Sequence, residues 1–321
     1  MRQQVIDILR RHVDKYGFVS VAEYQQSRDA LGKQDLYADY RFLDGFETII
    51  TLAIPYPTKE VKWSKKGYGR LSRYSYATDY HIVFGDILKR ITTELNAIGI
   101  RTKASVDTGG VDERWAGHLS NMGWLGKNQF LIIEDYGTYS FLATILVDVP
   151  LATEERFHDD CGDCRRCIDA CPSGALDNGF EQDLCISHLS QEKIPFGDTE
   201  IKYFKTMIYG CDICMKACPK NKGIDIHKYP AFEPTGIENI HLKSMLAMTN
   251  KEYMAIYGNN ASSWRGASVI KRNALAMIYN HRLYDLKDDI VTSMDVLKDN
   301  PWYIETAELV LKRIDEKERT S

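Results

Sequence analysis

No apolar stretch in this 321-residue chain approaches the roughly 20 residues a helix needs to cross a bilayer. The longest, Ile49–Ile54 and Ser140–Val149, have the length of strands. The opening residues, MRQQVIDILRRH, carry no apolar leader. The chain is therefore expected in the reducing cytosol, without a membrane partner and without a disulfide framework. Neither sign of charge dominates, because 41 Lys and Arg against 45 Asp and Glu leave a net charge of −4. Any electrostatic role must rest on local distribution. No cysteine lies outside residues 161–218.

Within that window all eight cysteines are present. The first run is Cys161-x2-Cys164-x2-Cys167-x3-Cys171-Pro172, the second is Cys211-x2-Cys214-x3-Cys218-Pro219, and Cys185 stands between them. Zinc accepts four thiolates, but usually from two separated C-x2-C pairs. A four-cysteine run ending in Cys-Pro instead suits two [4Fe–4S] clusters, with the last cysteine of the run crossing to the other cluster. The spacing predicts one cluster on Cys161, Cys164, Cys167 and Cys218. It predicts a second on Cys211, Cys214, Cys171 and Cys185. Such clusters move single electrons, so a redox function is expected.

The rest of the chain predicts a mixed α+β or α/β fold. Val5, Ile6, Leu9 and Val13 recur at helical spacing. Thr48–Pro55 (TIITLAIP) reads as a buried strand. Asp79–Ile98 reads as an amphipathic helix with Ile82, Leu88, Ile91 and Leu95 near one stripe. A strand over Arg101–Asp107, a helix over Glu113–Met122 and strands over Phe130–Ile133 and Tyr139–Val147 follow. From about residue 240 the pattern is helical. Ile270, Ala274 and Ile278 form one stripe, and Ile304, Ala307, Leu311 and Ile314 another, with Asn300-Pro301 as a helix start. Three segments are expected: 1–155, 156–235 and 236–321. Residues 62–73, KWSKKGYGRLSR, carry Lys62, Lys65, Lys66, Arg70 and Arg73 among aromatics and no acid. That mixture suits a nucleic-acid backbone with stacked bases, and it suits a solvated loop equally well.

The ordered set Ser105-Val106-Asp107-Thr108-Gly109, Glu113-Arg114, Gly123-Trp124-Leu125-Gly126-Lys127-Asn128, the cysteine runs, Ser263-Trp264-Arg265-Gly266 and Arg272-Asn273 resembles the epoxyqueuosine reductases. The resemblance runs from about residue 35 to 280 and rests on the VDTG and GWLGKN blocks upstream of the cysteines. It implies reduction of epoxyqueuosine to queuosine at the wobble position of tRNA. It also implies a fold like that of the reductive dehalogenases: a cobalamin-binding α/β module, a ferredoxin-like double-cluster module and a short C-terminal HEAT-like helical region. By motif, Asp107 resembles the proton donor. Arg41, Ser72, Asp107, Leu131, Leu142, Ser187 and Asp212 fall where the family contacts cobalamin. Ser72 stands where some members have a cysteine near the cobalt, and the helical tail is shorter than in longer members. The alternative is a reductive dehalogenase-like or corrinoid-reducing enzyme with a small substrate; a plain two-cluster electron carrier would leave the upstream half without work.

Removing an epoxide oxygen to leave an alkene takes two electrons and two protons. A carboxylic acid whose pKa is raised by burial suits the proton step, and Asp107 is that acid on the resemblance. Read by itself, it is rather a turn-forming Asp, and the resemblance reverses that order. No D-x-H-x-x-G signature is present, so cobalamin is expected base-off, with no protein histidine below the cobalt; His81 is expected to be a helix residue with a local hydrogen bond. Lys127-Asn128 suits a tight turn, a phosphate or a corrin amide. Glu113-Arg114 suits an exposed pair or a substrate-facing one, and Trp264-Arg265 a nucleotide clamp or a core tryptophan beside a surface arginine. The expected partners are tRNA and an electron donor such as a flavodoxin, a ferredoxin or a reductase, with the chain monomeric.

Overall fold

Thr48–Pro55 forms the strand its composition predicts, and every residue of it is buried. A continuous apolar run needs cover on both faces and a neighbour on both edges. In the computed structural model, which describes residues 1–30, 40–57, 59–152 and 160–320, it has both neighbours. Lys15–Ser20 pairs on one side and Ser140–Val147 on the other, and Thr102–Ser105 extends the sheet beyond Ser140–Val147. All three pairings are antiparallel. Of the two expected classes this sheet is α+β, and the α/β alternative is corrected. Alternation along a chain fixes neither strand direction nor order.

The chain folds as two compact units. One comprises 1–58, 80–165 and 218–229; the other comprises 59–79, 166–217 and 230–321. The boundaries differ from the three consecutive segments read from the sequence because the chain crosses back twice. The segment 59–79 leaves the first unit as a strand, Tyr68–Leu71. That strand lies between Met207–Tyr209, which is parallel, and Asn239–His241, which is antiparallel.

In the first unit, helix Tyr80–Ala97 buries Phe84, Leu88, Ile91 and Leu95. Ile82 is 48% exposed, against its expected place on the stripe. It stands two residues, about 200° of helix rotation, from Phe84. In the second unit, helix Ala267–Asn280 is buried from Val269 to Ile278, including Lys271, Arg272 and Asn273. The expected single stripe understates it, since this helix is the centre of the larger core. Helix Pro301–Arg319 packs on that core through Tyr303, Ala307, Val310 and Ile314. Ile304 and Leu311 sit at the edge of its buried face. Among the described residues, no helix is long and apolar enough to cross a membrane.

Candidate functional site

The first unit holds the Asp107 corner. Strand Thr102–Ser105 is tied to its neighbour by Ser105 Oγ and Thr144 Oγ1, 3.1 Å apart. The chain then turns through Asp107 at φ +62°. A Cβ at Gly109 would overlap the Ser105 side chain, so the D-T-G-G turn requires glycine there. Asp112 caps helix Glu113–Leu119 by accepting the Trp115 N–H at 3.0 Å. It is anchored by the buried Arg28 at 2.8 Å, and its own N–H donates to the Tyr24 hydroxyl at 2.8 Å.

Glu113, the first residue of that helix, reaches back to the loop: its Oε1 accepts the Asp107 N–H at 2.7 Å. Burial pushes the Glu113 carboxyl up to about 8. The Asp107 and Asp112 carboxylates act in the same direction, while the Asp107 N–H and Arg114 oppose it. The acid with a raised pKa expected at Asp107 is instead its half-buried neighbour, because the Asp107 side chain is 61% exposed. His81 Nε2 stands 3.9 Å from Asp107 Oδ2. Arg114 turns away from Glu113, donating to the Gln129 carbonyl at 3.1 Å and lying over the Phe130 ring. A non-glycine residue in the left-handed region costs about 1–2 kcal/mol. The bond to Glu113 offsets about 0.5–1.5 kcal/mol when the carboxyl is neutral and about 1.5–3 when it is ionised. The two are of one size, so the carboxyl's charge decides how firmly the turn is held.

Leu131 is buried among Ala53, Met122, Ile133 and Tyr136, and Leu142 packs against the same group. Arg41 is exposed on the short helix Tyr40–Leu43. Asn128 is 4% exposed, and its Oδ1 accepts the Phe130 N–H at 3.4 Å. Its amide nitrogen has no hydrogen-bond partner among the described residues. Lys127 Nζ donates to the Gly162 carbonyl at 2.6 Å, beside Cys161. Cys164 N–H bonds to the Cys161 carbonyl at 3.0 Å. Burial raises the Cys218 thiol, and Cys161 and Cys164 add to that rise.

The second unit holds the other cysteines. Cys171 and Cys214 pack against Cys167, Ile168 and Leu176. Burial raises the Cys211 and Cys214 thiols, Cys214 to about 12. Cys185 repels both, Cys171 and Cys167 repel Cys214, and Cys214 repels Cys211. Thiols crowded out of water favour a cationic metal centre that neutralises them. Among the described residues, no three His, Cys, Asp or Glu side chains converge on one ion. Beside Cys211, Asp212 is 1% exposed and accepts the Arg73 N–H with both oxygens, at 3.1 and 3.2 Å. Burial raises its carboxyl, and Arg70 and Arg73 pull it back.

Arg70 and Arg73, expected on a basic surface, are instead buried around Glu60 and Asp212, with Arg70 bonded to Glu60. Lys62, Lys65 and Lys66 are exposed. Ser72 is fully buried against Gly210, whose φ of +68° and contact with Ser72 leave no room for a Cβ. Gly210 N–H donates to Ser190 Oγ at 2.8 Å, and that hydroxyl donates to the Ser187 carbonyl at 2.8 Å. The structure thus brings Ser72, Ser187 and Asp212 around the approach to Cys211. Trp264 is 58% exposed, not a core residue; its indole N–H reaches Tyr209 Oη at 3.1 Å, and Arg265 lies over its ring.

A family model described as "4Fe-4S double cluster binding domain" matches residues 160–221. One described as "Epoxyqueuosine reductase QueG, DUF1730" matches residues 40–108. An epoxyqueuosine reductase from Bacillus anthracis is 32% identical over 314 residues, covering 90% of this chain and 82% of the relative. A solved epoxyqueuosine reductase, crystallised with a tRNA-Tyr epoxyqueuosine-modified stem loop, has a TM-score of 0.84 at 26% identity and covers 98% of both chains. Another, from Bacillus subtilis, has a TM-score of 0.82 at 26% identity over 97% of both chains; it was captured with its aspartate-bearing catalytic loop swung out of the active site.

Proposed function

The chain belongs to the epoxyqueuosine reductase family, and from that membership we propose that it reduces epoxyqueuosine to queuosine at the wobble position of tRNA. The observation that carries this reading is the likeness to an epoxyqueuosine reductase over 82% of that relative's length. Electrons would enter through two [4Fe–4S] clusters. One would be held by Cys211, Cys214, Cys171 and Cys185, the other by Cys161, Cys164, Cys218 and Cys167.

One buried group supports a bound cobalamin. The unsatisfied, buried Asn128 amide suits a polar group of a docked ligand. Leu131 and Leu142 would offer apolar cover, and Arg41, Ser72, Ser187 and Asp212 polar contacts, with the base-off form bound. When bound, cobalamin supplies two-electron reducing chemistry to the epoxide, and the clusters supply electrons singly. The protein would orient both cofactor and substrate. Asp107 would supply a proton to the oxygen that leaves as water, with the His81 ring 3.9 Å from its carboxyl. We infer that the loop carrying Asp107 has a second position, as the catalytic loop of the Bacillus subtilis relative does. The C-terminal helices would form the HEAT-like region.

Anaerobic reconstitution with iron, sulfide and cobalamin, followed by assay on an epoxyqueuosine-containing stem loop, tests the reading. Conversion to queuosine is expected. A protein that binds cobalamin but leaves that stem loop unchanged overturns it. Asp107→Asn is expected to keep cobalamin and lose turnover.

A further inference from the structure

We propose that Glu113 is a positioning residue for Asp107, gripping the loop by the Asp107 main-chain N–H and holding the aspartate in its working conformation. This rests on the reading of Asp107 as the proton donor. The bond is 2.7 Å long and joins the first residue of a helix to the centre of a turn six residues earlier. Both flanks of that turn are fixed. Ser105 is tied to Thr144 across the sheet. Asp112 is tied to Arg28 and Tyr24 in the core. Between these anchors lie Asp107 at φ +62° and Gly110 at φ +83°. Such a segment is anchored at its ends and strained in the middle, and a contact that crosses it selects among its positions.

Glu113 is suited to that role by its place. The helix start to which it belongs cannot shift without breaking the Asp112 cap and its buried arginine. Its carboxyl has two oxygens, one of which is used on the loop. The carboxyl does not need to touch substrate; it acts by denying the Asp107 amide its alternatives. The groups facing it are Asp107, Asp112 and Arg114, and His81 faces Asp107 from the preceding helix, Tyr80–Ala97. Because the Glu113 carboxyl is pushed up to about 8, its acceptor strength changes near neutral pH, and the grip tightens as it ionises.

The test compares Glu113→Ala and Glu113→Gln in the fully reconstituted enzyme, with the epoxyqueuosine stem loop as substrate. Turnover and hydrogen exchange at the Asp107 amide are both measured. Glu113→Ala is expected to lower kcat about tenfold to a hundredfold, the loss typical of a misplaced reacting group. KM and cobalamin content are expected to hold, and exchange at the Asp107 amide to accelerate. Glu113→Gln keeps an acceptor oxygen of the same shape. It is expected to restore slow exchange and most of kcat at neutral pH, and to lose the inflection near pH 8 in the parent profile.

Parent-like kcat in Glu113→Ala overturns the proposal. So does a loss that Glu113→Gln fails to rescue while exchange stays slow, since that pattern belongs to direct proton transfer. Full activity in Asp107→Asn would sink the reading of Asp107 instead, and the exchange measurement would still decide whether Glu113 grips the loop.

Discussion

Asn273 donates its side-chain N–H to the carbonyl of Ile208 at 2.8 Å, from the middle of the most buried helix among the described residues. Its second amide hydrogen reaches the Ser190 carbonyl, also at 2.8 Å. Arg272 beside it bonds the carbonyls of Leu189 and Ile194 and lies 3.6 Å from the centre of the Phe196 ring. Ser190 follows Cys185 by five residues, and Ile208 precedes Cys211 by three. The C-terminal helices therefore brace both arms of the second cysteine set.

Asn273→Ala is expected to leave two buried carbonyls without donors. Each costs about 1–3 kcal/mol, so a loss of about 2–6 kcal/mol is expected. Denaturant unfolding of the anaerobic protein measures it. A loss below about 0.5 kcal/mol, the ordinary range for surface changes, would show that the two arms do not depend on this brace.

What was legible in the sequence was whatever local pattern dictates. Thr48–Pro55 reads as a buried strand because its apolar residues are continuous and bounded. Helix Tyr80–Ala97 follows from 3.6-residue spacing, though the stripe begins at Phe84 and not at Ile82. The cysteine spacing points to clusters without any fold. Burial of charge was not legible. Arg70 and Arg73 look like a basic surface until Glu60 and Asp212 fold against them. Glu113 looks like an exposed helix residue until the Asp107 turn arrives beside it. Arg272 and Asn273 lie in a helix buried all round, where polar residues mimic a solvent face in the pattern. Each of these depends on a partner that hydrophobic periodicity does not reveal.

Glu113 also sets a pH dependence of stability. Its pKa of about 8 in the folded protein stands above the ordinary value of 4.5. Below pH 4.5 the carboxyl is neutral in both states and makes no difference. Between about 4.5 and 8 the unfolded chain ionises there while the folded one does not, so stability falls as pH rises. The ceiling is about 5 kcal/mol at 1.36 kcal/mol per pH unit. Solvent screening at this half-buried site brings it to about 1–2 kcal/mol. Glu113→Gln is expected to remove that slope, so urea midpoints of parent and variant should diverge between pH 5 and pH 8. Parallel curves would show that the carboxyl ionises as freely as in water.

Cys185 stands alone in sequence yet raises both the Cys211 and Cys214 thiols. Cys185→Ser is expected to cost roughly half of the iron of an anaerobic preparation and to remove one of two reduced-cluster signals in electron paramagnetic resonance. Cys161→Ser is expected to remove the other. Retention of both signals in Cys185→Ser would exclude this cysteine as a ligand.

Lys62, Lys65 and Lys66 remain exposed after the two arginines of the same stretch are buried. Beside them the Trp63 ring lies 5.6 Å from that of His281, and its indole N–H is held by the Tyr68 carbonyl at 2.8 Å. If this face meets the tRNA backbone, each lysine on a phosphate lowers the slope of log affinity against log salt by about 0.7–0.9. The triple change to alanine is then expected to weaken stem-loop binding and flatten that slope by about two, with kcat on bound substrate and thermal stability unchanged. Arg70→Ala is expected to behave in the opposite way. It removes the buried partner of Glu60 and a near neighbour of Asp212, and costs about 3–5 kcal/mol of stability. Binding isotherms at several salt concentrations separate the two. A triple variant with the parent's salt slope would mean that the lysines only solvate a loop.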